Sequence, residues 1–451
     1  MSFPRYPEYR DSGVEWLGEV PKHWQIVPLK RDLAFLTSGS RGWAEHYSDD
    51  GALFIRIGNL TRYGIHLDLS DIQRVAVPEG AEGERTKVLA GDVLFSITAY
   101  LGSVAVAPDG LETAYVSQHV ALARLNRQLF LPIWVGYVVL SYVGRTYLET
   151  QGYGGTKIQL SLEDVANIIV MAPPLSEQSV IGAFLDCQTS KIDALVAEQV
   201  KLIALLKEKR QAVISHAVTK GLNPDASMKD SGIEWLGAVP QHWRTGKIHY
   251  FARLESGHTP SRQHPEYWEH CTIPWFSLAD VWQIREGRAT YVFETNELIS
   301  EVGLANSSAR LLPKGTVILS RTASVGFSTI MGCDMATTQD FANWVCGSDL
   351  LPEFLLSVFR GMGCEFDRLM MGSTHQTIYM PDIAKLALAV PPLSEQTRIV
   401  TFLDQQTAKL DALTAEAERA IDLLKERRSA LISAAVTGKI DVRGLVDTEA
   451  A

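Results

Sequence analysis

Two long stretches of the chain place apolar residues at alternating steps of three and four, with charged residues between them. In the first, Ile192, Leu195, Leu202, Leu206 and Val213 follow this spacing, with Gln199 and Lys209 as polar breaks. In the second, Leu410, Leu413, Ala417, Ala420, Leu424 and Leu431 do the same, with Arg427 as the break. Each stretch follows a double proline, Pro173-Pro174 or Pro391-Pro392, which cannot continue a helix and so fixes where one starts. Ser176 and Ser394 are the expected N-caps, and Glu177 and Glu395 sit at the favourable end of the helix dipole. Apart from Gly182, no Gly or Pro interrupts either run until about residue 218 or 438, which gives a helix of roughly 43 residues and about 65 Å. Such a stripe needs a partner helix. The packing positions expected from it are Ile192, Leu195, Leu202, Leu206, Val213, Leu410, Leu413, Leu424 and Leu431.

Elsewhere the pattern is shorter. Leu53–Leu60, Gly91–Thr98, Pro274–Val281 and Gly315–Thr322 contain β-branched and aromatic runs bounded by Gly, Asn and Pro, which predict strands joined by turns. Leu131–Thr150 and Leu351–Met371 each predict one buried helix.

These features occur twice because the chain is written twice. Asp11-Ser-Gly-Val-Glu-Trp-Leu-Gly-Glu-Val-Pro-Lys-His-Trp24 returns at 230–243 with 11 of 14 positions identical. Pro173–Asp186 returns at 391–404 with 10 of 14 identical, and Leu205-Leu-Lys-Glu-Lys-Arg210 returns as Leu423-Leu-Lys-Glu-Arg-Arg428. The interiors, about 40–150 and 260–370, have diverged. The expected class is therefore α+β: two tandem pseudo-symmetric domains of mixed strands and helices, separated by two long antiparallel coiled-coil helices. Helix one feeds the second domain and helix two returns towards the first, so the termini should lie close together, with one domain at each end of a rod. The expected boundaries are 1–172 for the first domain, 173–220 for its helix, 221–229 for a linker, 230–390 for the second domain, 391–439 for the second helix and 440–451 for a tail. Trp16, Trp24, Trp235 and Trp243 fall in the matched edges and should pack each domain onto the helices.

Composition narrows the function. The 451 residues carry 42 Lys+Arg against 52 Asp+Glu, and 46% are apolar, an ordinary globular balance. Five scattered cysteines without a CxxC pair argue against a disulfide framework and for a reducing compartment. With no signal-like N-terminus and no apolar run long enough to span a bilayer, a cytoplasmic location is expected. Motifs for catalysis are missing. Both Pro-Pro pairs are followed by Leu rather than the aromatic residue of a methyltransferase motif, both Gly-Lys pairs lack the upstream Gly of a phosphate loop, and no HExxH or paired Cys/His spacing indicates metal. Gly152-Tyr-Gly-Gly155 is a lone glycine cluster, more often a turn than a phosphate cradle. The expectation is a chain without catalytic chemistry, cofactor or metal of its own.

The repeated Asp-Ser-Gly-[Val/Ile]-Glu-Trp-Leu-Gly-x-Val-Pro-x-His-Trp and Pro-Pro-Leu-Ser-Glu-Gln blocks, each followed by a long helix, resemble the specificity (S) subunits of type I restriction-modification enzymes over residues 5–440. That resemblance implies two target recognition domains, each reading one half of a split double-stranded DNA site. It also implies that the helix pair serves as a ruler and as the docking surface for two modification (M) subunits. Those subunits would hold S-adenosylmethionine and methylate adenine, and restriction (R) subunits would complete the complex. The alternative is a coiled-coil scaffold that bridges two proteins without touching DNA, but matched edges around divergent interiors suit the recognition of two different things.

DNA binding has to be reconciled with an acidic chain. Residues 1–170 hold 15 Lys+Arg and 19 Asp+Glu, and residues 230–390 hold 12 and 17, so the cations that meet phosphate must be local. Polar, basic and aromatic residues between the strands are the candidate readers. In the first domain these are Ser38, Arg41, Trp43, Arg56, Asn59, Arg62, Tyr63, Thr98, Tyr100, Gln118 and His119. In the second they are Thr259, Ser261, Arg262, Asp280, Arg285, Arg321, Thr322, Ser324, Gln339 and Asp340. Thr156, Lys157, Thr374, His375 and Gln376, in the loops before the scaffold helices, are candidates for gripping the backbone. Arg41 matched to Arg262 agrees, but Asn59 faces Asp280 and Ile97 faces Arg321, which predicts that the two half-sites differ, separated by a spacer that puts their centres on the order of 10 bp apart.

Overall fold

The computed structural model describes residues 3–39, 41–77, 81–153, 158–371 and 376–445. The chain divides into two units, Met1–Val200 with Glu418–Ala451, and Lys201–Ala417. Each unit therefore holds one repeat interior, the near half of its own long helix and the far half of the other.

In the first unit an antiparallel sheet runs in the order Leu33–Ser38, Val120–Leu125, Val93–Ser96, Val104–Val106. A second sheet runs Ala114–Val116, Ala52–Ile55, Arg74–Val75, Tyr47–Ser48, with its first pair parallel. The second unit repeats the plan. Its larger sheet runs Ala252–Ser256, Phe341–Cys346, Val317–Ser320, Ser328–Met331, Tyr291–Val292, and its smaller one Glu297–Ile299, Ile273–Phe276, Ala336–Thr337. The regions expected to form one buried helix each form two. Pro132–Leu140 gives way to Tyr142–Gln151 at Ser141, and Pro352–Gly361 to Gly363–Leu369 at Met362. Ser141 causes the first break: its extended backbone ends one helix while its hydroxyl, bonded to Val138 O, accepts the Gly144 N–H that opens the next.

The matched edges form the root of each unit. Tyr9–Asp11 pairs with Glu19–Pro21 and Gln25–Pro28 with Ile169–Ala172, and in the second unit Met228–Asp230 pairs with Ala238–Pro240 and Arg244–Lys247 with Ala387–Val390. Trp24 and Trp243 are buried to 1% exposure beneath them. Trp24 Nε1 donates to Glu177 at 3.0 Å, the Tyr6 hydroxyl donates to the same carboxylate at 2.7 Å, and His23 Nε2 lies 2.9 Å from its other oxygen. Burial, then Glu177, pushes the Tyr6 hydroxyl well above its ordinary value of 10. His242 meets Glu395 in the same way at 2.7 Å.

The Pro-Pro-Leu-Ser-Glu-Gln block has a physical reason. Gln178 is fully buried: it donates to Leu129 O and Pro173 O and accepts from Leu131 N. Gln396 does the same for Asp349 O, Pro391 O and Leu351 N. Each glutamine ties a strand end and a helix-leading segment to the first turn of a long helix. The helices span Leu175–Lys220 and Leu393–Val436, so they begin one residue before Ser176 and Ser394, which lie inside the first turn rather than at the expected caps. The backbone N–H groups of Glu177 and Gln178 are met by Pro174 O, and those of Glu395 and Gln396 by Pro392 O.

Within each unit the two helix segments run antiparallel. In the first, Trp24 touches both Glu177 and Gly438, while Asp193 pairs with Arg428 at 2.7 Å. In the second, Gly221 lies against Glu395, while Arg210 pairs with Asp411 at 3.2 Å. The first and last described segments meet in the first unit, where Asp441 N donates to Pro4 O at 2.8 Å. The buried and half-buried positions form a regular heptad seam: Leu185, Thr189, Ile192, Val196, Gln199, Ile203, Leu206, Arg210 and Val213 on the first helix, and Leu410, Thr414, Ala417, Ile421, Leu424, Arg428 and Leu431 on the second. Of the expected packing positions, Ile192, Leu206, Leu410 and Leu431 are buried, and Val213 and Leu424 half-buried. Leu195, Leu202 and Leu413 are not in the seam; they are 50%, 42% and 50% exposed, and their neighbours Val196, Ile203 and Thr414 turn inward instead. In the second unit Arg360 is half-buried beside Arg210. Desolvation first, then that like charge, lowers it to about 10, and its guanidinium bonds Ala289 O.

Candidate nucleic-acid interface

The drifted interiors share one backbone frame. Gly39 and Gly257 each end an equivalent strand, and a Cβ there would lie 2.0 Å from Val116 O and 2.2 Å from Thr337 O, so only glycine fits. Beside that contact, Ile97 N donates to His119 O and Leu160 N to Ile97 O, while Arg321 N donates to Asp340 O and Ile378 N to Arg321 O. Ala99 and Ala323 take the left-handed conformation at φ of 62° and 58°. Both close three-residue turns, with Tyr100 N on Thr98 O at 2.7 Å and Ser324 N on Thr322 O at 2.6 Å. Backbone conformation of this kind is costly for a residue with a Cβ and persists where surrounding bonds enforce it. Here Ala99 N is held by Ile158 O and Ala323 N by Gln376 O.

This frame equates Ser38 with Ser256, Arg41 with Thr259, Ile97 with Arg321, Thr98 with Thr322, Tyr100 with Ser324, Gln118 with Gln339 and His119 with Asp340. Arg41 is therefore not the counterpart of Arg262, because the glycine contacts set a register three residues different. In the first unit Ser38, Arg41, Thr98, Gln118 and His119 converge with Gln159 on one pocket of about 490 Å³. The Thr98 hydroxyl is buried there with no partner among the described residues, and Gln118 Nε2 lies 3.0 Å from His119 Nε2. Gln118 and His119 also wall a second pocket of about 240 Å³, lined by Trp43, Tyr47 and Phe54. In the second unit Thr259 Oγ1 donates to Gln339 Oε1 at 2.8 Å, and Arg321 Nε donates to Gln339 O at 3.0 Å.

Several candidates are committed to the fold instead. Trp43 is 3% exposed and stacks on Phe54 at 5.6 Å. Asn59 and Asp280 are buried: Asn59 caps a turn through Arg56 N and holds Asp68 O and Asp71 O, and Asp280 caps through Ser277 N and holds Asn296 N. The Arg56 guanidinium pairs with Asp71 at 2.9 Å. Arg262 lies over the Trp268 ring at 3.7 Å and pairs with Glu297. Arg62 lies 5.9 Å from the ring of Tyr100; Tyr100 and Tyr63 are 58% and 61% exposed. Ser261 and Arg285 are exposed. Thr156, Lys157, Thr374 and His375 lie outside the described residues. Gln159, missing from the sequence-based candidates, enters the pocket through a bridge to Thr98 across 61 residues, a pairing that no local pattern announces. Among the described residues no group of His, Cys, Asp and Glu could hold a metal ion, and no helix is long and apolar enough to cross a membrane.

Two such frames, carried on a duplicated chain with paired long helices, define a class. The family described as the type I restriction modification DNA specificity domain matches residues 46–202 and 240–422, and the chain belongs to it. The chain is 27% identical over 170 residues to the type I restriction enzyme MjaIX specificity subunit of Methanocaldococcus jannaschii, an alignment that spans 37% of this chain and only 38% of that relative. With the EcoKI specificity subunit of Escherichia coli K12 it shares 21% identity over 446 residues, 94% of this chain and 90% of the relative. A chain solved in work on complex assembly and conformational transition of the type I R-M system has the same fold, with a TM-score of 0.71 at 19% identity over 92% of this chain and 98% of that one.

Proposed function

We propose that this chain is the DNA-reading subunit of a type I restriction-modification complex, each unit recognising one half of an asymmetric split site. The observation that carries the reading is the shared frame with unlike side chains: Arg41 against Thr259, Ile97 against Arg321, Tyr100 against Ser324, His119 against Asp340. A frame kept by strained alanines and space-starved glycines, while the residues mounted on it change, is what reading two different sequences requires. The long helices set the spacer and dock two modification subunits, which bring S-adenosylmethionine and the methyl transfer. Restriction subunits add translocation and cleavage. The chain contributes recognition and no catalytic step, and it works in the cytoplasm.

Because neither domain is basic overall, much of the phosphate grip belongs to the modification subunits. The isolated chain should bind DNA weakly, and tight, steeply salt-dependent binding by it alone would count against this division of labour. The direct test is single-molecule methylation mapping in a methylation-free host that co-expresses the chain with its modification subunit. A split, asymmetric motif methylated on both strands is expected. A soluble complex that leaves no methylated motif would overturn the reading.

A further inference from the structure

We infer that Arg321 and Asp340 together read one G·C base pair within the half-site of the second unit; the inference rests on the DNA-reading function proposed above. The two residues face each other across the shared frame, with Arg321 N bonded to Asp340 O at 2.9 Å. A half-buried arginine and aspartate so placed would ordinarily close into an ion pair, and these do not. The guanidinium is held by neutral carbonyls instead, Nε on Gln339 O at 3.0 Å and Nη1 on Ile378 O at 3.4 Å. Among the described residues the carboxylate accepts only the Thr338 hydroxyl, through Oδ2 at 3.0 Å. Arg321 Nη2 and Asp340 Oδ1 have no partner among the described residues. A donor edge and an acceptor are thus oriented by the protein without an ion pair between them.

That pairing has one natural complement on duplex DNA. In the major groove guanine offers O6 and N7 as adjacent acceptors, which an arginine meets, and its paired cytosine offers the N4 amino donor, which a carboxylate accepts. A·T pairs place an amino donor where guanine has O6, so the same arginine is left facing a donor. The first unit lacks both charges at the matching places: Ile97 is 8% exposed and packs into the core, and His119 replaces the carboxylate. The first unit's half-site is therefore free of this requirement.

The test uses the assembled complex with its modification subunit and duplexes carrying the mapped site, in which each G·C pair of the second half-site is changed in turn to A·T. Relative affinities are measured by competition. The wild-type complex should prefer the unaltered duplex at every position. Arg321→Ala should reduce the preference at one G·C position from roughly tenfold or more to near unity, keeping the others. Asp340→Asn should weaken the preference at that same position. Continued discrimination at the first half-site by the same variant shows that it is folded and assembled. Preference retained at every G·C position overturns the inference, and so does a uniform loss across all duplexes, which would make Arg321 a phosphate contact. A wild-type complex that prefers no sequence would sink the DNA-reading function itself, a result distinguishable from either.

Discussion

At the residue scale, the identities repeated between the halves mark groups that have no substitute. Gln178 and Gln396 each satisfy three backbone groups with one side chain, and nothing else nearby could do so. Gln178→Ala should cost roughly 2–4 kcal/mol, because it leaves a buried N–H and two carbonyls unpaired; urea unfolding of the full chain would measure it, and a loss under half a kcal/mol would contradict the assignment. Glu177 gathers Tyr6, His23 and Trp24 at the first root. Because Tyr6 titrates higher folded than unfolded, its contribution is fully present below pH 10 and declines as pH rises above that, where the unfolded chain loses the phenolic proton first. Stability followed from pH 9 to 11 should fall less steeply for Tyr6→Phe than for the parent chain. The repeated Glu and Gln were visible in the sequence, but most of their partners were not, because all except Pro173 and Pro391 lie 45 to 171 residues away.

At the scale of elements, the long helices were legible nearly to the residue, since paired prolines, heptad spacing and the missing breakers all agree. The face they bury was only half legible. Leu195-Val196, Leu202-Ile203 and Leu205-Leu206 each offer two adjacent apolar residues, and a sequence pattern that takes Gln199, Lys209 and Arg427 as its breaks passes over Thr414 and Arg210 and chooses Leu195 and Leu202 over Val196 and Ile203. The seam tolerates those polar residues because they find partners: Thr414 donates to Leu410 O, and Arg210 meets Asp411 as Arg428 meets Asp193. Leu206→Ala should therefore cost about 2 kcal/mol or more, and Leu205→Ala, from 52% exposure, should stay within about 0.5 kcal/mol. Thermal melts of the two variants would separate them, and equal losses would mean the seam is misplaced. The pocket was harder to foresee. Ser38, Thr98 and the adjacent Gln118 and His119 come from three separate segments that a sequence can nominate but not bring together. Asn59 and Asp280 looked like unlike readers at matched positions, when they cap equivalent turns with whichever side-chain oxygen is available.

At the scale of the whole molecule, duplication is the organising fact, and it was plain in the sequence because the edges have been held while the interiors drifted. Duplication alone would also suit a scaffold that bridges two identical partners. What separates the two accounts is where the differences fall: on side chains mounted on one conserved backbone frame, with the frame itself intact. If the helices set the spacer, removing one heptad from each should change the gap between the half-sites and leave their bases alone. The central claim, that each unit reads its own half independently, is tested most directly by replacing interior residues 260–370 with residues 40–150 and mapping the methylated motif of the resulting complex. The account predicts a symmetric site, with the first unit's half-site on both sides and the spacer nearly unchanged. Retention of the original asymmetric motif by that chimera would contradict it.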